Sequence, residues 1–197
     1  MTEPLIYSPS EIIAKYVSPE AVDSYFDALM SENQKVNLVS RETTRGSFER
    51  LVAESLLPLE WVGTDFRELL DIGSGGGIPA IPLMQALPQL KRATLIERTL
   101  KKARALRGMI QNLALTAKVE DHNFDEFHPN HPCDLITIRL VKLDNRMLEK
   151  AVTMLAPGGK IVYWSTLQFE WRKHDTIIHN FRAPEDEVTK SVTIISH

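Results

Sequence analysis

Apolar residues recur at helical spacing through the first part of the chain, then gather into short unbroken runs. After Ser18-Pro19-Glu20, which reads as a helix start, Val22, Tyr25, Phe26, Leu29 and Met30 fall at i, i+3, i+4, i+7 and i+8. That spacing lays one apolar stripe along a helix. Upstream, Ser8-Pro9-Ser10-Glu11 has the form of a capping box with proline in the first helical position. Ser47 to Leu57 repeats the stripe with Phe48, Leu51, Val52, Ser55 and Leu56, and Pro58 ends it. Roughly the first 60 residues are expected to be helical.

Beyond them the pattern changes. Glu68-Leu69-Leu70-Asp71-Ile72 is a short apolar run stopped by glycines, the signature of a buried strand. Ala93 to Glu97, Ala117 to Val119, Cys133 to Ile138 and Lys160 to Trp164 read as further strands. Helices fit between them at 78–87, at 99–115 (Ala103, Leu106, Ile110 and Leu113 on one face) and at 145–155, where Ala156-Pro157-Gly158-Gly159 reads as a stop. Thr176 to Ile178 and Val192 to Ile195 lack a helix between them and suggest a hairpin-like edge. Alternating strands and helices predict an α/β fold, a mostly parallel sheet with helices on both faces. The expected organisation is an N-terminal helical extension over 1–62 packed on a body over 63–197.

Composition fits one domain. The chain has 197 residues, 43% of them apolar and 25% charged, close to the usual ~150 residues per domain. Cys133 is the single cysteine, which excludes an internal disulfide framework. No run approaches the ~18 apolar residues that span a bilayer, and Met1-Thr2-Glu3-Pro4 does not resemble a secretory signal. A cytoplasmic protein without membrane contact is expected. The net charge of −3 is segregated. Residues 1–70 hold six Lys and Arg against twelve Asp and Glu, a net −6, whereas 91–107 is net +6 and 139–160 net +3. Basic stretches of this kind serve either as solvated helix faces or as footprints of a phosphate backbone.

The richest chemistry lies in Asp71-Ile72-Gly73-Ser74-Gly75-Gly76-Gly77-Ile78-Pro79. Glycines between a strand and a helix let backbone approach a ligand closely. The spacing is G-x-G-x-G at Gly73, Gly75 and Gly77, not the G-x-G-x-x-G of dinucleotide folds. Asp71 would repel a pyrophosphate and attract a ligand carrying an amine or a sulfonium. S-adenosyl-L-methionine is therefore favoured over NAD. Glu97, 26 residues after Asp71, closes the next strand, where a carboxylate can take both ribose hydroxyls of an adenosine. Phe124 and Asp125 follow the third strand and are candidates to hold adenine. His128, His131 and Cys133 lie close together but offer three local ligands interrupted by prolines, so no metal is expected. Trp164, Phe169 and Trp171 read as packing rather than as base-stacking residues.

These motifs together resemble the GidB (RsmG) family of bacterial 16S ribosomal RNA guanine-N7 methyltransferases, which have the Rossmann-like class I methyltransferase fold. The resemblance runs from about Tyr25 to Trp164. It rests on the glycine loop with its two prolines, Pro79 and Pro82, on Asn37-Leu38-Val39-Ser40, on Arg50 to Leu56, and on Glu97 to Arg104. Asp134 to Arg139 and Leu155 to Gly159 also fit. By resemblance, Gly73, Ile78, Phe124, Asp125 and Arg139 contact the cofactor, and Asp71, Gly75, Gly77 and Glu97 follow from the class I pattern. Three positions depart from the family. Leu51 replaces a histidine, Leu140 a small residue, and Ser165 a lysine, all on the side expected to face RNA.

The resemblance implies methyl transfer to guanine N7 in ribosomal RNA or the small ribosomal subunit, with a monomer favoured. N7 carries a free lone pair and no proton, so no catalytic general base is expected. Arg98, Lys101 and Lys102 are candidate RNA contacts, and Arg139 is suited to the methionine carboxylate or to an RNA phosphate. Another acceptor, or a binding module without catalysis, would use the same residues.

Overall fold

The computed structural model describes residues 3–165 and 174–196. Five strands form the parallel part of one sheet: β2 (Glu68–Ile72), β3 (Arg92–Ile96), β4 (Lys118–Glu120), β5 (Cys133–Arg139) and β6 (Leu155–Ser165). Helices α5 (Ala80–Ala86), α6 (Leu100–Asn112) and α7 (Asn145–Thr153) lie between them, with a short 3-10 turn at Phe124–Glu126. The N-terminal segment supplies β1 (Leu5–Ile6), α1 (Pro9–Tyr16), α2 (Pro19–Asn33), α3 (Arg45–Leu56) and α4 (Leu59–Val62). The tail supplies β7 (Asp175–Arg182) and β8 (Lys190–Ser196).

The sheet order is β1-β7-β8-β6-β5-β2-β3-β4. β2 sits centrally, parallel to both β3 and β5. Chain order reverses direction across the sheet at β2, and crevices at such points bind ligands beyond the carboxyl ends of the strands. The tail does form an antiparallel hairpin, but β8 inserts beside β6 and leaves β7 outside it. The outermost strand on that side is β1, parallel to β7. This two-residue strand lies in a stretch whose pattern suggested helix alone. Two residues show no periodicity, so pairing alone defines them.

Other boundaries moved for local reasons. Ser8 precedes α1, yet its hydroxyl pairs with that of Ser10 at 3.1 Å and caps no backbone N–H. The capping box lies instead at α3, where Thr44 Oγ1 accepts from Ser47 N–H at 3.2 Å and Ser47 Oγ accepts from Thr44 N–H at 2.9 Å. Ala156-Pro157-Gly158-Gly159 does not break the chain away from the sheet. β6 runs through it, and the register with β5 shifts between Cys133 and Leu135 to absorb the extra residues.

Both faces of the central strands are buried, as a covered parallel sheet requires. Leu69, Leu95, Leu135 and Val162 join the core beneath α2, α3, α5 and α6. Leu70, Ile72, Ile136 and Ile161 join the core beneath α7 and the 3-10 turn. The N-terminal helices belong to the first of these cores. Phe48 of α3 is fully buried, edge-on to Tyr25 at 5.2 Å between centroids and tilted against Phe26 at 5.1 Å. Replacing Phe48 by alanine is expected to cost about 3 to 5 kcal/mol in urea denaturation, the usual range for a buried phenylalanine. A loss under about 1 kcal/mol would mean that this packing contributes little.

Candidate functional site

At the end of β2 the chain turns through three glycines with positive φ, Gly73 at 81°, Gly75 at 51° and Gly77 at 89°. L side chains disfavour that region. Space is short as well. A Cβ on Gly73 would collide with Val141, and one on Gly77 would come within 2.8 Å of Ile81 Cγ1. The turn satisfies its own amides. Ile96 O accepts from both Gly73 N–H and Ser74 N–H at 2.9 Å, and Ser74 O accepts from Gly77 N–H at 2.6 Å. Glu97 Oε2 accepts from Gly75 N–H at 3.0 Å, while Glu97 Oε1 accepts from Thr99 N–H at 2.8 Å, at the start of α6. One buried carboxylate thus ties the loop to the next helix. Each oxygen retains a further lone pair for a hydroxyl.

The N-terminal segment closes the loop from outside. Tyr25 Oη donates to Gly76 O at 2.8 Å. A Cβ on Gly76 would stand 3.1 Å from Leu29 Cδ1 and 3.3 Å from Leu38 Cβ. Leu38 is held by Asn33, whose Oδ1 accepts from Leu38 N–H at 2.8 Å and Val39 N–H at 3.1 Å.

Asp71 lies behind the loop, 1% exposed. Its Oδ1 accepts from Thr137 Oγ1 at 2.6 Å, and its Oδ2 has no partner among the described residues. Burial pushes its pKa up to about 6, against the opposing hydroxyls of Ser74 and Thr137; Glu97 raises it further and Arg139 lowers it. On the opposite wall, Phe124 is buried beneath the Lys150 ammonium, 5.1 Å from the ring centroid. Lys150 Nζ also donates to the carbonyls of Phe124 at 2.8 Å and Asp125 at 2.5 Å, which fixes the 3-10 turn.

Arg139 ends β5, one residue past Ile138, which is in register with Ile72. Arg139 therefore stands beside the glycine loop. Its Nη2 donates to Glu54 Oε2 at 2.7 Å, while Nη1 is buried and has no partner among the described residues. Lys190 Nζ reaches the other oxygen of Glu54 at 2.5 Å.

These groups surround one cleft of about 1180 Å³ at the carboxyl ends of β2, β3 and β5. Gly73, Gly75, Ile78, Glu97, Phe124, Asp125 and Arg139 line it, whereas Asp71 and Gly77 stand behind its wall. Arg98 and Lys102 line it too, and Lys101 points elsewhere as an exposed residue of α6. Of the three departures, Leu51 and Leu140 line the cleft, and Ser165 does not: it lies in β6, in register with Ser191. Leu140 is 93% exposed, with a φ of 56°. Trp164 is buried and donates its indole N–H to Glu54 O at 2.9 Å, while Phe169 and Trp171 lie outside the described residues. Burial pushes the Cys133 thiol up to about 12, so it is no nucleophile near neutral pH.

Sequence reading overlooked Thr137, Glu54 and Lys190. Thr137 was visible as a hydroxyl inside an otherwise apolar run, whereas Glu54 lies off the apolar stripe of α3 and gives no such signal. Lys190 carries no local signal; the pairing of β8 with β6 brings it in.

The fold and the sequence both have relatives. An O-methyltransferase from Bacillus cereus, solved in complex with SAH, superposes with a TM-score of 0.65 at 16% identity, covering 88% of this chain and 90% of that one. An rRNA methylase from Streptococcus thermophilus superposes with a TM-score of 0.55 at 11% identity, over 75% of this chain and 96% of that one. The architecture is the Rossmann-like α/β fold. In sequence, the ribosomal RNA small subunit methyltransferase G of Rhodopseudomonas palustris is 34% identical over 148 residues, which cover 72% of this chain and 62% of that protein. The protein of the same name from Helicobacter acinonychis is 31% identical, over 76% of this chain and 83% of its own length. The family model GidB, rRNA small subunit methyltransferase G, matches residues 18–191, and the chain belongs to that family.

Proposed function

We propose that the chain transfers a methyl group from S-adenosylmethionine to N7 of a guanine in 16S ribosomal RNA. The observation that carries the reading is the cleft itself, where the glycine loop, Glu97 and Arg139 meet at the reversal of strand order. Arg139 lines the cleft, and its Nη1, which has no partner among the described residues, is a donor suited to the carboxylate of the cofactor's amino-acid end. Asp71, behind the wall, favours the ammonium through its charge. Glu97, with a further lone pair on each oxygen, suits the ribose hydroxyls, and the Phe124–Asp125 turn suits the adenine. When bound, the cofactor supplies an electrophilic methyl group on sulfur. The protein binds and aligns the two reactants and excludes water. Guanine N7 carries a free lone pair and no proton, so the transfer needs no general base.

The rim supports an RNA acceptor. Arg98 and Lys102, which line the cleft, make no ion pair among the described residues, nor do Lys101 and Arg104 on the exposed surface of α6, whereas Arg92 is paired with Glu68 and Arg107 with Asp121. Unpaired cations beside a cleft attract a phosphate backbone. Leu51 and Leu140 in the wall favour a second reading, the same transfer to another nucleotide.

The direct test incubates the protein with labelled S-adenosylmethionine and with 16S ribosomal RNA or small subunits that lack 7-methylguanosine, followed by nucleoside mass mapping. Label in 7-methylguanosine is expected. Gly73→Asp, which meets both the positive φ and the Val141 contact, should abolish binding and transfer. Label at another nucleotide would establish the second reading, and no label in any RNA would defeat both.

Exchanging Arg98 and Lys102 for glutamate is expected to weaken RNA binding and to flatten its dependence on log salt by about 1 to 2 units. An unchanged slope would return both residues to the role of solvated charges.

Cofactor affinity should depend on pH through Asp71. Its folded pKa of about 6 lies above the ordinary 3.8, so the free protein takes up a proton as pH falls through that value. A cationic ligand prefers the ionised carboxylate. Affinity for S-adenosylmethionine should therefore be full near pH 7.5 and fall severalfold by pH 5, and Asp71→Asn should flatten the profile. Equal slopes in the two proteins, measured by calorimetry, would contradict this role.

A further inference from the structure

We infer that Glu54 and Lys190 are positioning residues that hold Arg139 ready for the carboxylate of the cofactor's methionine portion. This deepens the cofactor reading above and rests on it. The three side chains come from α3, β8 and β5, far apart in sequence, and all line the cleft.

The carboxylate of Glu54 is 2% exposed and the side chain of Arg139 is 9% exposed. An ion pair at that depth loses hydration on both sides and is retained at a cost unless its remaining hydrogen-bonding groups are used. Glu54 meets the condition, because one oxygen takes Arg139 Nη2 and the other takes Lys190 Nζ. Its backbone carbonyl takes the Trp164 indole, which anchors the residue on β6. Arg139 does not meet the condition, since Nη1 is left over.

The neighbouring charges explain why Glu54 is shared. Around Glu54, two cations face one carboxylate. Lys190 also approaches Asp186 at 3.7 Å, but Asp186 is held by Arg50 at 2.5 Å. Arg50 also reaches Glu185 at 3.8 Å, so the wider network of three cations and three acids is balanced, and what is left over is the hydrogen-bonding capacity of Arg139 Nη1. Lys190 keeps Glu54 from cancelling Arg139, and Glu54 fixes the plane of the guanidinium. A single monoanionic group placed against Nη1 completes the arrangement. Arg139 stands beside Gly73 in the cleft with its side chain 9% exposed, which favours a ligand group that enters the cleft over a phosphate that stays at the rim. A carboxylate on a slim aliphatic chain reaches it.

The test compares S-adenosylhomocysteine with 5′-methylthioadenosine, which shares its adenosine and thioether but lacks the amino acid. In calorimetry, Glu54→Gln is expected to weaken S-adenosylhomocysteine at least tenfold and leave methylthioadenosine within twofold. Glu54→Asp should recover most of the loss. Lys190→Met, at a partly exposed position, should weaken S-adenosylhomocysteine severalfold and spare methylthioadenosine. It provides the comparison should Glu54→Gln unfold. Parallel losses for both ligands, or undiminished S-adenosylhomocysteine binding in Glu54→Gln and Lys190→Met, would overturn the inference. So would selective loss of RNA binding in these variants, which would assign Arg139 to a phosphate. A wild-type chain that binds neither nucleoside would defeat the cofactor reading first, and this inference with it.

Discussion

The site depends on one backbone constraint. Between Ile72 and Ile78 the chain must leave a buried strand, turn through three positive φ values and still find acceptors for its amides. Buried N–H groups without acceptors cost about 1 to 3 kcal/mol each, so the turn cannot stand alone. Ile96 O supplies one acceptor for two amides, and Glu97 supplies the next. The end of β3 is therefore as much a part of the loop as the loop's own residues. Glu97 is fixed by two backbone amides and presents its remaining lone pairs in a fixed direction. A group held this way needs little reorganisation to receive a ligand.

The same constraint explains the N-terminal helices. The outer side of the loop has no sheet to rest on. Tyr25, Leu29 and Leu38 fill that side, and Tyr25 satisfies the Gly76 carbonyl. Phe48 in turn fixes Tyr25. Stability lost at Phe48 would thus be felt at a loop two contacts away, because neighbouring packed groups do not act independently. What reads in sequence as an extension shares a single core with α5 and α6.

Legibility in the sequence followed the range of the interaction. Glu68–Ile72 was readable to the residue, because a buried parallel strand is a continuous apolar run that glycine ends. The G-x-G-x-G turn and Glu97 were readable because their constraints are local, one steric and one at a strand end. β1 was not, since its two exposed residues become a strand only by pairing with Phe181 and Arg182. The insertion of β8 was not, because the register between strands that are distant in sequence leaves no local trace. Lys190 was lost with it. Arg139 was readable as a functional arginine, but its partner was not. Glu54 belongs to α3, and only the packing of that helix over the ends of β5 and β6 brings the two together.

Charge segregation takes on a different meaning once the partners are known. Much of the acidic N-terminal segment is spent internally, with Glu60 on Lys15, Glu49 and Asp23 on Arg45, and Glu54 on Arg139. The basic stretch at the start of α6 is largely unspent. Lys15 and Arg45 are already counted in the net −6 of that segment, so a net charge of −3 averages over a segment that stays acidic and a basic stretch that is free. Long-range attraction of a polyanion is governed by the free region, since exposed charges more than about 10 Å apart are screened from one another at moderate salt. The cleft adds a division of its own. Its rim carries exposed cations, worth little individually and able to serve a flexible backbone in many poses. Its floor carries buried and mutually fixed charges, costly to maintain and suited to a ligand of one shape. Such a gradient from loose to fixed charge lets a large substrate dock without a unique contact, while the small one is held in a single orientation.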